Sequence, residues 1–412
     1  VRFTGTRHPC RWRPLRSATA MKILHTSDWH LGRSFGSVSL HDAQTQFCEW
    51  VVETAVSRGV DVVVVAGDLY DRPIPPTESV RLWRQTLLAF AAANITVIAI
   101  AGNHDGPDRV SALDGLTDAV GIHIRGGYDR VGETLSLQDQ HGAVDFLIVP
   151  FLDPVLAPRQ WREALQSAEL ERNHENVLKH AMRSFEDSRT SERSVVVAHA
   201  FVSGSTDPET SESEKRLSIG TAEMVPVDVF RGHSYVALGH LHRPQPVQDQ
   251  SIRYSGTPMP YSFSEIDPKS VVVIEIDSDG TAGIEIIPVT HGRLVVKITG
   301  TIDELLSNDE YSSFGEHFVM AELTDGEYVT DARERLAQRF PHIVEIRLLG
   351  VERVELDPQR DSHGQIIPRS KMEPVDAAVA FWTEFGGAEP TDAEQVAIGQ
   401  AFDAVRASGG AE

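Results

Sequence analysis

The sequence predicts an α/β protein. The expected form is a two-sheet sandwich flanked by helices, followed by a small α/β unit and by C-terminal helices. Two observations predict it. Short apolar, β-branched runs recur over the first 290 residues, and such continuous runs suit strands buried on both faces. The first of these runs are separated by segments of helical period, which gives strand–helix–strand units. No G-x-G-x-x-G motif is present, so the sheets are not those of a dinucleotide-binding domain.

Taken in order, residues 1–20 stand apart. Arg2, Arg7, Arg11, Arg13 and Arg16 occur with no acidic residue before Asp28 and no apolar core, so this stretch reads as a disordered basic extension and not as a secretory signal. A basic arm touching DNA is the other reading. The first strand is Lys22–Thr26. A helix follows over His41–Arg58, with Phe47, Trp50, Val51 and Thr54 on one face. Asp61–Val65 is a buried strand, Thr77–Ala93 a second helix, and Ile95–Ala101 a third strand. Later strands are expected at Val144–Val149, Val195–Ala198, Tyr235–Leu238, Val271–Ile276 and Ile284–Val289. The polar run from Ser203 to Lys215 reads as a mobile surface loop.

The pattern changes near His291, which divides the chain into a domain over 21–290 and a smaller one over 291–356. In the smaller one, strands at Leu294–Thr299, Phe318–Leu323 and Ile343–Leu349 alternate with helices at Asp303–Ser307 and Thr330–Phe340. A polar linker over 357–372 leads to two helical segments in 373–412. Val379, Phe381, Trp382 and Phe385 lie in the first. Thr391-Asp392-Ala393-Glu394 opens the second as a capping box, and Ile398, Phe402 and Val405 share a face of it. These helices either pack on their own domain or dock a partner helix.

The chemistry sits at strand ends. Asp28-Trp29-His30, Gly67-Asp68, Gly102-Asn103-His104-Asp105, His199 and Gly239-His240-Leu241-His242 each follow an apolar run. Together they offer carboxylates, an amide oxygen and several imidazoles, the donor set of a two-metal site for phosphate ester hydrolysis. Asp28 and His30 are two residues apart beyond a strand end, so both can turn to one edge. Asp68 has two oxygens and can bridge two ions, and Gly67 lets the backbone come close to them. With mixed O and N donors and no thiolate, manganese fits best, with iron or magnesium behind it. His25, His123, His233 and His291 read as structural or surface groups. The aromatics of Tyr254–Phe263 either pack at the end of the sheet or line a DNA path.

The order of these motifs resembles that of the calcineurin-like metallophosphoesterases. His25-Thr26-Ser27-Asp28-Trp29-His30-Leu31-Gly32 and Tyr254-Ser255-Gly256-Thr257-Pro258-Met259-Pro260-Tyr261-Ser262-Phe263 resemble, more narrowly, the SbcD nuclease subunits. The resemblance runs from Met21 to the C-terminus, densely to about Pro268. It implies that one metal takes Asp28, His30, Asp68 and His242, and the other Asp68, Asn103, His199 and His240. It implies that His104 is the general acid for the leaving 3′-oxygen, with Asp105 orienting its loop. It further implies a Mn-dependent DNA nuclease, a 3′→5′ exonuclease on double strands and an endonuclease on single strands and hairpins, acting in DNA end processing, repair and recombination. The partner would be an SMC-like ATPase, SbcC, bound through the C-terminal helices, with residues 291–356 as a capping domain. A homodimer through the nuclease domain and a heterotetramer with the ATPase would follow. Archaeal and eukaryotic relatives carry a histidine three residues after the bridging Asp. Here that residue is Asp71, to which no catalytic histidine role transfers.

Bulk properties agree. The net charge of −22 argues against a chain that grips DNA alone; either a partner supplies much of the DNA affinity or the acidic balance only aids solubility. Two cysteines, Cys10 and Cys48, exclude a disulfide framework and a cysteine-based zinc site and fit a reducing cytoplasm, with the nucleoid as the expected location. The apolar runs are too short to span a bilayer. No P-loop occurs, so ATP hydrolysis would need the separate subunit. A phosphoesterase acting on a small phosphodiester or phosphomonoester is the alternative, and a non-catalytic scaffold the third reading.

Overall fold

The computed structural model describes residues 20–36, 38–204, 208–214, 224–349, 374–386 and 389–407. Expectations for the basic extension and the 357–372 linker lie outside these residues. The chain divides into two compact units, 1–294 and 295–412.

The first unit is an α/β sandwich of two six-stranded sheets. In chain order its strands are β1 (Met21–Thr26), β2 (Val62–Val65), β3 (Thr96–Ile100), β4 (Ile122–Arg125), β5 (Leu135–Asp139), β6 (Gly142–Val149), β7 (Ser194–His199), β8 (Tyr235–Gly239), β9 (Gln245–Val247), β10 (Asp249–Tyr254), β11 (Ser270–Ile276) and β12 (Ala282–Pro288). The first sheet runs β12-β11-β1-β2-β3-β4, and the second β9-β10-β8-β7-β6-β5. Both have a parallel centre. β1, β2, β3 and β4 are mutually parallel, as are β6, β7, β8 and β10, and antiparallel strands complete the edges.

Alternation sorts the side chains. Ile23, Val62, Val64, Ile98, Val195, Val197 and Ala237 belong to one buried core, contributed by strands of both sheets. Val196, Ala198, Val236 and Leu238 belong to a second core, with Trp161 and Leu165 of α3 (Arg159–Ser167) and Val177, Leu178 and Ala181 of α4 (His174–Arg183). Two longer helices, α1 (His41–Arg58) and α2 (Thr77–Ala92), form the crossovers of the first sheet. Where the parallel strands begin, Arg193 is 5% exposed and paired with Asp139 at 2.5 Å. It also donates to the carbonyls of Ile276 and Asp277, while Asp139 accepts from the Met21 N–H. This knot joins both sheets at the end opposite the loops that carry the site.

His25, Tyr235 and Tyr254 are fully buried structural groups. His25 links the sheets through Tyr235 Oη at 3.0 Å and the Leu238 carbonyl at 3.1 Å. Of the two readings of Tyr254–Phe263, packing holds: Tyr254, Met259, Tyr261 and Phe263 are buried, with Tyr261 Oη donating to the Trp29 carbonyl. The Ser203–Lys215 loop needs correction at its far end. Its polar composition suggests free solvation, but Ser213 and Glu214 are half-buried and hydrogen-bonded to His242.

The second unit holds a three-stranded parallel sheet of β13 (Val295–Gly300), β14 (Phe318–Leu323) and β15 (Ile343–Leu348). Ile302 and Leu305 of α5 (Ile302–Ser307) and Leu336 of α6 (Ala332–Ala337) cover its core. Two more helices, α7 (Pro374–Gly386) and α8 (Asp392–Ala407), follow. Thr391 and Glu394 form the expected capping box. Phe381 is 62% exposed and Trp382 43% exposed, while the side chains of Phe385 and Val405 lie outside the described residues. Among the described residues no helix is long and apolar enough to cross a membrane.

Candidate metal centre

Parallel strands put successive loops at one edge, where open α/β sheets present their chemistry. Each of the seven residues expected to hold metal lies at the end of, or just past, one of β1, β2, β3, β7 and β8. Asp28, His30, Asp68, His199 and His242 are each at most 1% exposed.

The loop after β1 is set by Trp29. Its indole is buried between Phe47 and Trp83, at 5.3 and 5.4 Å between ring centroids, and donates to Thr26 Oγ1. That anchor leaves the side chains on either side, Asp28 and His30, for the centre. The Gln44 amide then holds the His30 carbonyl at 2.8 Å. The backbone is forced to fit. Asp28 (φ 53°), His30 (φ 43°), Asp68 (φ 47°) and His240 (φ 113°) are all left-handed, a region that costs a non-glycine residue about 1–3 kcal/mol. Such a cluster is expected where surrounding structure holds functional groups in place. The chain also packs closely at Gly102, where a Cβ would lie 2.1 Å from Asp68 Oδ1, and at Gly67, where it would lie 2.1 Å from His199 Nδ1.

The donor atoms face one another. His30 Nε2 lies 3.3 Å from His242 Nε2 and 3.6 Å from Asp68 Oδ2. His199 Nε2 lies 3.6 Å from the same Asp68 oxygen and 2.9 Å from Asn103 Oδ1, which is 3.1 Å from His240 Nδ1. Two triads, Asp28 with His30 and His242, and Asp28 with Asp68 and His199, have their donor atoms within 4.8 Å of one another. Asp68 Oδ1 accepts the His104 N–H at 2.9 Å, and Oδ2 lies 3.6 Å from both His30 Nε2 and His199 Nε2.

Three observations fit metal ions to this donor set. His199 Nδ1 is engaged by the Ala66 carbonyl at 2.9 Å, and His242 Nδ1 by Ser213 Oγ at 2.6 Å, so the Nε2 atoms present lone pairs and not protons. Burial pushes His30, His199 and His240 below the ordinary imidazole range, which keeps them in the neutral, ligating form. Burial and the Asp68 carboxylate push the Asp28 carboxyl up, a penalty that a cation there would reverse.

His104 also lies close, forming a triad of donor atoms with His30 and Asp68 within 4.8 Å. Its Nδ1 is tied to the Asp71 carbonyl at 2.9 Å. Asp71 itself pairs with Arg33 at 3.0 Å. Asp105 accepts three backbone N–H groups, from Gly102, Leu69 and Tyr70, and so locks the β3 loop against the β2 loop.

Sequence reasoning missed Ser213, Glu214 and Glu265, all of which bond His242. Glu265 is 1% exposed and reaches His242 Nδ1 at 3.3 Å. Its only trace in sequence is a carboxylate four residues before Lys269, with which it pairs at 2.6 Å.

The model for calcineurin-like phosphoesterases matches residues 21–244, and that for the type 5 capsule protein repressor C-terminal domain, also called SbcD_C, matches 292–383. The SbcD subunit of the nuclease SbcCD of Staphylococcus epidermidis is 28% identical over 326 residues, covering 79% of this chain and 84% of that one. A dimetal phosphatase from Danio rerio superposes with a TM-score of 0.39 at 11% identity, over 66% of this chain and 97% of the other. A protein from Thermus thermophilus gives 0.36 at 10% identity, over 66% and 100%.

Proposed function

The chain belongs to the calcineurin-like phosphoesterases, and from that premise we propose that it is a metal-dependent nuclease acting on DNA. The observation that carries the reading is the convergence of five strand-end loops from both sheets on one cluster of facing lone pairs. Similarity to the SbcD subunit of a nuclease SbcCD over most of both chains supports DNA as the substrate class. In detail the activity is Mn-dependent, exonucleolytic in the 3′→5′ direction on double strands and endonucleolytic on single strands and hairpins. It works in DNA end processing with an SMC-like ATPase, SbcC, that docks on the C-terminal helices. The nuclease domain carries the homodimer contact, and the complex resides in the cytoplasm.

Asp28, His30, Asp68 and His242 would hold one divalent ion, and Asp68, Asn103, His199 and His240 the other. Such ions, when bound, supply a nucleophile at neutral pH and neutralise charge on the phosphate oxygens. The remaining work falls to the chain. The left-handed backbone at Asp28, His30 and Asp68 holds the donors in place before substrate arrives. The Asp71 carbonyl accepts from His104 Nδ1 and fixes the ring; protonated on both nitrogens, His104 would give its Nε2 proton to the leaving 3′-oxygen. Asp105 keeps that loop in register with Asp68.

The test is an assay of the purified chain with Mn²⁺ on hairpin DNA and on bis-(p-nitrophenyl) phosphate, with and without the ATPase. Both substrates should be cleaved, and DNA cleavage should rise when the ATPase and ATP are added. Hydrolysis of the small diester with no cleavage of any DNA would overturn the nuclease reading and leave a small-substrate phosphoesterase.

A further inference from the structure

His242 is the most heavily restrained of the candidate ligands, and the restraint comes from a cluster whose carboxylates and ammonium, Glu214, Glu265 and Lys269, lie outside every motif. Its backbone N–H donates to Glu214 Oε1 at 2.8 Å. Its carbonyl accepts from Lys269 Nζ at 3.2 Å and from the Thr257 N–H at 3.1 Å. Its Nδ1 meets Ser213 Oγ at 2.6 Å, and Ser213 Oγ in turn donates to Glu265 Oε1, which also lies 3.3 Å from that Nδ1. Glu265 has no slack. Oε1 also accepts the Tyr261 N–H, while Oε2 takes Thr257 Oγ1 at 2.9 Å and Lys269 Nζ at 2.6 Å.

A carboxylate behind an imidazole fixes the tautomer, aims the far nitrogen and raises its basicity. Among the described residues the other cluster has no such support for His199, whose Nδ1 meets a backbone carbonyl. We propose that Glu265 is the positioning residue of the metal site formed by Asp28, His30, Asp68 and His242, with Ser213 as its relay. Glu265 thereby makes that site the tighter of the two. Through Ser213 and Glu214 the described 208–214 segment is tied to the metal centre at two points. The inference rests on the two-metal reading above, but its readout needs no substrate.

The experiment is a Mn²⁺ titration of the full metal-free chain by calorimetry, with low-temperature EPR to distinguish isolated from spin-coupled manganese. The wild-type chain should bind two ions with unequal affinities. Glu265→Gln keeps the shape and removes the charge. It should weaken the tighter affinity about 10–100-fold and leave the other within about twofold. Ser213→Ala, on a half-buried segment, should weaken the same affinity by a smaller factor, and it decides the matter if Glu265→Gln does not fold. Glu265→Asp should restore part of the loss. Unchanged affinities in Ser213→Ala and in folded Glu265→Gln, or an equal fall at both sites, would overturn the assignment. Two tight sites on a wild-type chain that leaves DNA uncut would defeat the nuclease reading and leave this one standing.

Discussion

His104 and His25 are both histidines at or beside strand ends, and their surroundings give them opposite tasks. His104 is half-buried, with one ring nitrogen engaged and the other free for proton transfer. His104→Ala should retain both metals in a Mn²⁺ titration and lose phosphodiester cleavage by roughly 10²–10⁴-fold. Loss of metal would make it a ligand, and unchanged cleavage would remove it from the chemistry. His25 is fully buried between the sheets, and burial, with the Arg253 charge, lowers its pKa from 6.5 to about 3. The folded form therefore keeps His25 neutral, while the unfolded chain protonates it below about pH 6.5. Stability is unaffected above that value and falls as pH drops through the window from 6.5 to about 3. Urea unfolding of the metal-free chain at pH 7 and pH 4.5 should have a pH slope steeper by about one proton than that of His25→Gln. That corresponds to about 1.4 kcal/mol per pH unit. Equal slopes would sink the claim. The strand-end candidates were legible because each follows an apolar run directly. Glu265, Ser213 and Glu214 were not, because their bonds to His242 span 23 to 29 residues and leave no periodic trace.

At the scale of elements, legibility followed burial. β1, β2, β3, β7 and β8 are buried on both faces, so their residues form continuous apolar runs. β5 (Leu-Ser-Leu-Gln-Asp) lies at an edge and is mostly half-buried, and β4 (Ile-His-Ile-Arg) carries polar residues at a sheet edge. Neither stood out. Helix α3 escaped for a similar reason, since only Trp161 and Leu165 of its nine residues are buried. The turns that join strands to donors are more exacting than the strands themselves. Gly102→Ala would bring a Cβ to 2.1 Å from Asp68 Oδ1 and 2.4 Å from the Asp68 backbone nitrogen. The strand before it should survive, but the β2 and β3 loops must part. We expect a folded chain by circular dichroism with Mn²⁺ affinity reduced about tenfold or more, in line with overpacking costs of about 1–3 kcal/mol. Wild-type affinity would mean that the loops can part without disturbing the donors.

For the whole molecule, the first unit contains every candidate metal ligand, and α7 and α8 belong to the second. A chain ending at residue 371 should therefore keep Mn-dependent hydrolysis of bis-(p-nitrophenyl) phosphate. It should lose co-purification with the coiled-coil ATPase and ATP-stimulated DNA cleavage. Phe381→Asp with Phe402→Asp in the full chain should act alike, by placing charge in an apolar contact. Full-affinity binding by the shortened chain would return these helices to the packing of their own unit. The strand and helix order of the second unit could be read from its hydrophobic period, although its second helix is shorter than expected, ending at Ala337. A partner's footprint has no such period, and Phe381 and Trp382 mark only where apolar surface remains open.

The position of β1 bears on how the first unit comes to be made. β1 pairs on one side with β2 and on the other with β11, in register from Met21 against Ile276. During synthesis its second edge must wait roughly 250 residues for a mate, which is about 12–50 s at ordinary elongation rates. Until then a row of unpaired N–H and C=O groups stands open beside the first donor loop, an invitation to mispairing with neighbouring chains. Nascent chains halted before residue 270 should engage chaperones or aggregate, and those halted well past 288 should not.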